Sequence, residues 1–120
     1  MTRILLIEDD PDTGEAIKAM LEALGHAPHW VQNGGEAMAF VRDQPAPDLV
    51  LTDILMPGMD GLEAIQHLRA AISEVPIIAM SAQVNAPYLQ AAAVFGARAT
   101  LAKPFGLEAL KEAIQKVLGA

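Results

Sequence analysis

The most constraining stretch of this chain is the unbroken apolar run Leu49-Val50-Leu51, which leads through Thr52 to the acid Asp53, with the turn-forming Met56-Pro57-Gly58 close behind. A short apolar run without alternation suits a strand buried on both faces of a parallel sheet. Asp53 then stands at the carboxyl end of that strand, the edge at which open α/β sheets bind ligands. Asp is also common in turns, so this stretch by itself leaves two readings open: Asp53 as a reactive group or as a turn residue.

Other runs repeat the pattern. Ile4-Leu5-Leu6-Ile7 ends in Glu8-Asp9-Asp10 before Pro11; Val75-Pro76-Ile77-Ile78-Ala79-Met80 ends in Ser81-Ala82; Ala99-Thr100-Leu101-Ala102 ends in Lys103-Pro104. His26-Ala27-Pro28-His29-Trp30-Val31 reads as a strand weakened by its proline, hence an edge strand. Both histidines there are expected to be structural or solvated, since no cysteine or third ligand accompanies them.

Helical spacing fills the intervals. Ala16, Ile17, Met20, Leu21 and Leu24 form an apolar stripe that Gly25 ends, and Asp10 before Pro11 reads as an N-cap rather than a ligand. Asn33-Gly34-Gly35 opens a second helix with Ala37, Met38, Phe40 and Val41 inward. Asp60 and Glu63 form the capping box of a third, with Ile65 and Leu68 inward and His67 on its surface. Residues 87–95 form a fourth, stopped by Gly96, and Leu107, Leu110, Ile114 and Val117 line one side of a fifth. Five strands alternating with five helices predict a doubly wound α/β fold whose strand ends gather at one edge.

Composition excludes other classes. One domain spanning residues 1–120 is long enough to bury a core without staples. There is no cysteine, and no apolar run approaches the roughly 20 residues that span a bilayer. With no apolar leader after Met1, a cytoplasmic location is expected, and no membrane contact. The net charge of −7 argues against nucleic-acid binding. Residues 1–60 hold eleven acidic and three basic side chains, residues 61–120 four and five.

If the strands ending in Glu8-Asp9 and Asp53 are neighbours, three carboxylates converge and need protons or a cation; oxygen-only ligands in small number suit Mg²⁺. Asp53 can attack phosphorus to form an acyl phosphate, while Lys103 supplies a point charge and Ser81 a hydroxyl donor to the phosphoryl oxygens. Pro104 after Lys103 also admits a cis peptide.

These residues and their spacing resemble a response-regulator receiver domain of two-component signalling, across essentially the whole chain. The resemblance implies a flavodoxin-like five-stranded parallel sheet of order 2-1-3-4-5, with helices on both faces. It implies a phosphoryl group transferred to Asp53 from a histidine kinase or phosphotransfer protein, and Mg²⁺ held by Glu8, Asp9, Asp53 and the Leu55 backbone carbonyl. It further implies that Ser81 moves onto the phosphate, that the domain catalyses its own phosphorylation and dephosphorylation, and that a downstream protein partner reads the result. Thr100 departs from the family, which usually has a ring at this switch position, so the expected readout shifts to residues 82–90, which include Tyr88 and Leu89. Arg98-Ala99 replaces the acidic pair of many DNA-binding members. A Mg²⁺-dependent phosphohydrolase with an Asp nucleophile is the rival from another class, but it typically needs an acid where this chain has Leu55. A degenerate receiver that only binds protein is disfavoured by the four reactive residue types present.

Overall fold

The structure, a computed structural model, describes residues 2–54, 61–81 and 96–119, of which 61–64 by backbone alone. The elements run β1 (Arg3–Ile7), α1 (Pro11–Ala23), β2 (Ala27–Val31), α2 (Gly34–Asp43), β3 (Leu49–Asp53), α3 (Gly61–Ala71), β4 (Ile77–Ser81), β5 (Ala99–Ala102) and α4 (Leu107–Leu118). All strand pairs are parallel, in the order β2-β1-β3-β4-β5, as expected.

Strand periodicity sorts the core into two layers. Leu5, Ile7, Val50, Ile77 and Ala79 project to one face and pack with Ala37 of α2 and Ile65 and Leu68 of α3. Ile4, Leu6, Leu49, Leu51, Ile78, Met80 and Leu101 project to the other, against Ile17 and Leu21 of α1 and Leu110 and Ile114 of α4. Each central strand is therefore covered on both sides, which is why its sequence shows no alternation.

Local chemistry sets the helix ends. The Asp10 carboxylate accepts the Thr13 N–H at 2.9 Å, and the Asn33 side chain accepts the Glu36 N–H at 2.8 Å. Gly25 and Gly96 take φ of +89° and +120°, where a side chain would be strained. Gly96 also lies against the Arg69 side chain, which donates to the Ser73 carbonyl at 2.6 Å.

Two expectations for the core fail. Ala16 is exposed, because it borders a groove of about 310 Å³ shared with Met20 and Phe105 instead of facing the sheet. Leu107 is 44% exposed, because the first turn of α4 starts before the helix reaches the sheet face that Leu110 covers. β4 begins at Ile77, after Val75-Pro76. The Met56-Pro57-Gly58 turn, the Asp60–Glu63 box and the helix expected at residues 87–95 lie outside the described residues or side chains.

β2 is an edge strand, as its proline suggests. Its residues 27 and 31 bond inward, with the Ala27 N–H on the Thr2 carbonyl at 2.8 Å and the Glu8 N–H on the Val31 carbonyl at 3.0 Å. Pro28 thus falls at an outward position, where its missing N–H removes a donor from the free edge. His29 stacks on Phe40 with ring centroids 4.4 Å apart, a structural role. Among the described residues, no helix is long and apolar enough to cross a membrane.

Candidate functional site: an acid pocket bridged by one lysine

The parallel register brings the carboxyl ends of β1, β3, β4 and β5 together. Ile7 pairs with Thr52, Asp53 with Met80, and Ser81 with Ala102. One further ladder bond, from the Lys103 N–H to the Ser81 carbonyl at 2.8 Å, carries Lys103 to the same edge. The Lys103–Pro104 peptide is cis.

Alternation along the strands then decides which side chains meet. Glu8, Asp53 and Lys103 continue the parity of Leu6, Leu51 and Leu101, residues of the layer facing α1 and α4. They do meet. The Lys103 ammonium donates to Asp53 Oδ2 at 2.9 Å and to Glu8 Oε1. Asp9 completes the group: Glu8, Asp9 and Asp53 each offer a carboxylate oxygen, all within 4.8 Å of one another. Ser81 is buried at the end of β4, and both Ser81 and Asp53 make further interactions. The Leu55 carbonyl lies outside the described residues.

Glu8 has no exposed surface, and Asp53 is 6% exposed. Burial is the main reason the Glu8 carboxyl stands at a pKa of about 7, well above the ordinary carboxylate range. The charge of Asp53 pushes in the same direction, while hydrogen bonds from Lys103 and from the Asp10 N–H, at 3.2 Å on Oε2, pull it back. Burial works against the Lys103 cation, but its hydrogen bonds to Asp53 and Glu8 and their charges outweigh that, and its pKa is raised.

Asp10 is a cap, as the sequence predicts; its carboxyl is lowered chiefly by the Thr13 hydroxyl, 2.6 Å away. Thr100 is exposed on β5, so no large side chain is buried at that position.

Three clustered carboxylates with no nitrogen or sulfur donor among them fit a hard dication such as Mg²⁺. Beside the cluster are a fixed ammonium and a buried hydroxyl, an arrangement able to bind and polarise a phosphoryl group.

Sequence reasoning did not find Trp30, whose indole N–H donates to the Glu8 carbonyl at 2.9 Å, nor Gly14, which leaves room for that ring. The available signal was a lone tryptophan two residues after a proline on an edge strand, with a glycine inside the preceding helix.

Comparison with known proteins gives a consistent result. The family model described as response regulator receiver domain matches residues 4–115. Protein PilH of Pseudomonas aeruginosa is 38% identical over 120 residues, which is 98% of each chain. The response regulator MprA of a Mycobacterium species is 33% identical over 97% of this chain, which spans only 50% of MprA's length. Among solved structures, the receiver domain of the sensor histidine kinase PA1611 from P. aeruginosa superposes with a TM-score of 0.90 at 33% identity. That match covers 99% of this chain and 98% of the other, and the PA1611 domain carries a magnesium ion in its active-site cleft.

Proposed function

This chain belongs to the response regulator receiver domain family, and from that premise we propose that it accepts a phosphoryl group on Asp53 and passes the signal on through a change of surface. The observation that carries the assignment is the Lys103 ammonium shared between Asp53 and Glu8, with Asp9 in the same cluster. Glu8 and Asp53 share that cation; what supports Asp53 as the acceptor is its place at the end of β3, the middle strand of the sheet, between the ends of β1 and β4.

In this reading Glu8, Asp9 and Asp53 hold Mg²⁺, which, when bound, neutralises charge on the phosphoryl oxygens. Asp53 attacks phosphorus, the P–N bond of a donor phosphohistidine breaks, and the donor imidazole leaves with the electron pair. The donor is a histidine kinase or phosphotransfer protein. Lys103 transfers a hydrogen bond from the Asp53 carboxylate to the phosphoryl oxygens, and Ser81 adds a hydroxyl. The partner that reads the phosphorylated form is a protein, and the single domain of residues 1–120 is the receiving unit.

With Thr100 exposed, Ser81 movement has no buried ring to pull behind it. The readout therefore falls on residues 82–90, and its size is limited by the difference in phosphate contacts between the two states.

The test is incubation with a small phosphodonor and Mg²⁺. One acid-stable, base-labile phosphate per chain is expected, with none on Asp53→Ala; undiminished labelling of that variant refutes the assignment.

A further inference from the structure

Trp30 is the chain's single tryptophan and lies on the edge strand, yet its indole reaches the main chain of Glu8 at the end of β1. The β1–β2 ladder shows why a donor is needed there. The ladder bonds through alternate residues, ending with the Glu8 N–H on the Val31 carbonyl. The next rung would bring the Asn33 N–H to the Glu8 carbonyl. β2 has ended by then: the Gln32 N–H turns to Glu36 Oε1 at 2.8 Å, and Asn33 caps α2. Glu8 is wholly buried, and a buried carbonyl left without a donor is destabilising. Trp30 Nε1–H takes the place of the missing rung, at 2.9 Å.

The ring can lie there only because residue 14 has no side chain: a Cβ on Gly14 would come within 2.1 Å of the indole Cζ2. Trp30 thereby ties the end of β1 to the first turns of α1. The side chain of Glu8 is held differently, by Lys103 on Oε1 and the Asp10 N–H on Oε2, both on oxygens that a cation would claim. The indole acts on the main chain and competes for no carboxylate oxygen.

We propose that Trp30 is a positioning residue for the acid pocket, its hydrogen bond to the Glu8 carbonyl holding the Glu8 and Asp9 carboxylates in the arrangement that takes up a dication. This rests on the reading of Glu8, Asp9 and Asp53 as the magnesium site.

The experiment is calorimetric Mg²⁺ titration of wild type, Trp30→Phe, Gly14→Ala and Ile65→Val. Trp30→Phe keeps a ring but loses the donor, and should bind Mg²⁺ about tenfold more weakly, the loss typical when a ligand's outer support is removed. Gly14→Ala keeps the donor but displaces the ring, and should weaken binding likewise. Ile65→Val trims the opposite layer of the core and should lower the melting temperature with Mg²⁺ affinity intact. In wild type the indole ¹⁵N–¹H resonance should exchange slowly with solvent and shift as Mg²⁺ is added.

Wild-type affinity in a folded Trp30→Phe overturns the inference alone, as does equal weakening by Ile65→Val. If Trp30→Phe does not fold, the wild-type indole decides: fast exchange with no shift at saturating Mg²⁺ overturns it. If wild type itself takes up no Mg²⁺, the metal reading fails and the inference falls with it.

Discussion

Along β3, Leu49, Val50, Leu51 and Thr52 are wholly buried and Asp53 is almost so. Along this strand the interior of the sheet and its carboxyl end are thus nearly equally dry. In the interior, burial stabilises, since each large aliphatic side chain removed from water contributes roughly 1.5–3 kcal/mol. At the edge the same burial opposes ionisation, pushes Glu8 up to about 7 and makes the pocket dependent on Lys103. The contrast is that the well-packed interior holds in place a group of acids that would separate if free to do so.

The largest expected effect lies in the interior. Leu51→Ala should cost about 3–4 kcal/mol of unfolding free energy, from lost burial and a residual cavity, at every pH and with or without Mg²⁺. Chemical denaturation measures it; a loss that Mg²⁺ repairs would blur the contrast between the two regions.

Next comes Lys103→Met, which removes the cation between two buried acids. It should destabilise by about 3 kcal/mol at pH 7.5, the low end for a broken buried pair because Glu8 can take up a proton. The deficit should shrink at pH 5, where that proton is present in the folded state. A pH-independent deficit would mean that Lys103 acts through packing of its stem.

The pH dependence of the apo protein follows with its sign. Folded Glu8 keeps its proton up to about pH 7, whereas the unfolded carboxyl loses it near 4.5. The folded state binds more protons across that window, so stability should fall as pH rises through it and level off above. Melting temperatures between pH 4.5 and 8 without Mg²⁺ check this, and Glu8→Gln should flatten the slope. A slope unchanged in that variant assigns it to another group.

The smallest effect is Asp9→Asn, which relieves one of three crowded charges. Apo stability should rise by about 1 kcal/mol or less while Mg²⁺ binding weakens. A variant that melts below wild type without Mg²⁺ contradicts the crowding argument.

Much of this was legible in the chain itself. Short apolar runs stopped by Glu8-Asp9, Asp53 or Ser81 declare buried strands and the residues at their ends, because a strand covered on both faces needs apolar residues at nearly every position; the run before Lys103 declares a strand too, but an edge one with Thr100 exposed. Asp10, Asn33 and Gly25 mark helix ends by local hydrogen bonding and by the backbone angles they tolerate.

Adjacency was decided elsewhere. Lys103 reaches Glu8 across 95 residues and Asp53 across 50, and only the order of strands makes those contacts. Ala16 and Leu107 carry the helical stripe's spacing but are exposed, since spacing gives a face and not how far a neighbouring element extends over it. The Trp30 bond to Glu8 depends on where β2 stops and on the missing side chain at Gly14. The sequence by itself determined which groups stand at strand ends, because that follows from local period and polarity. The tertiary structure decided which of them touch, because pairing register and packing are properties of the assembled sheet.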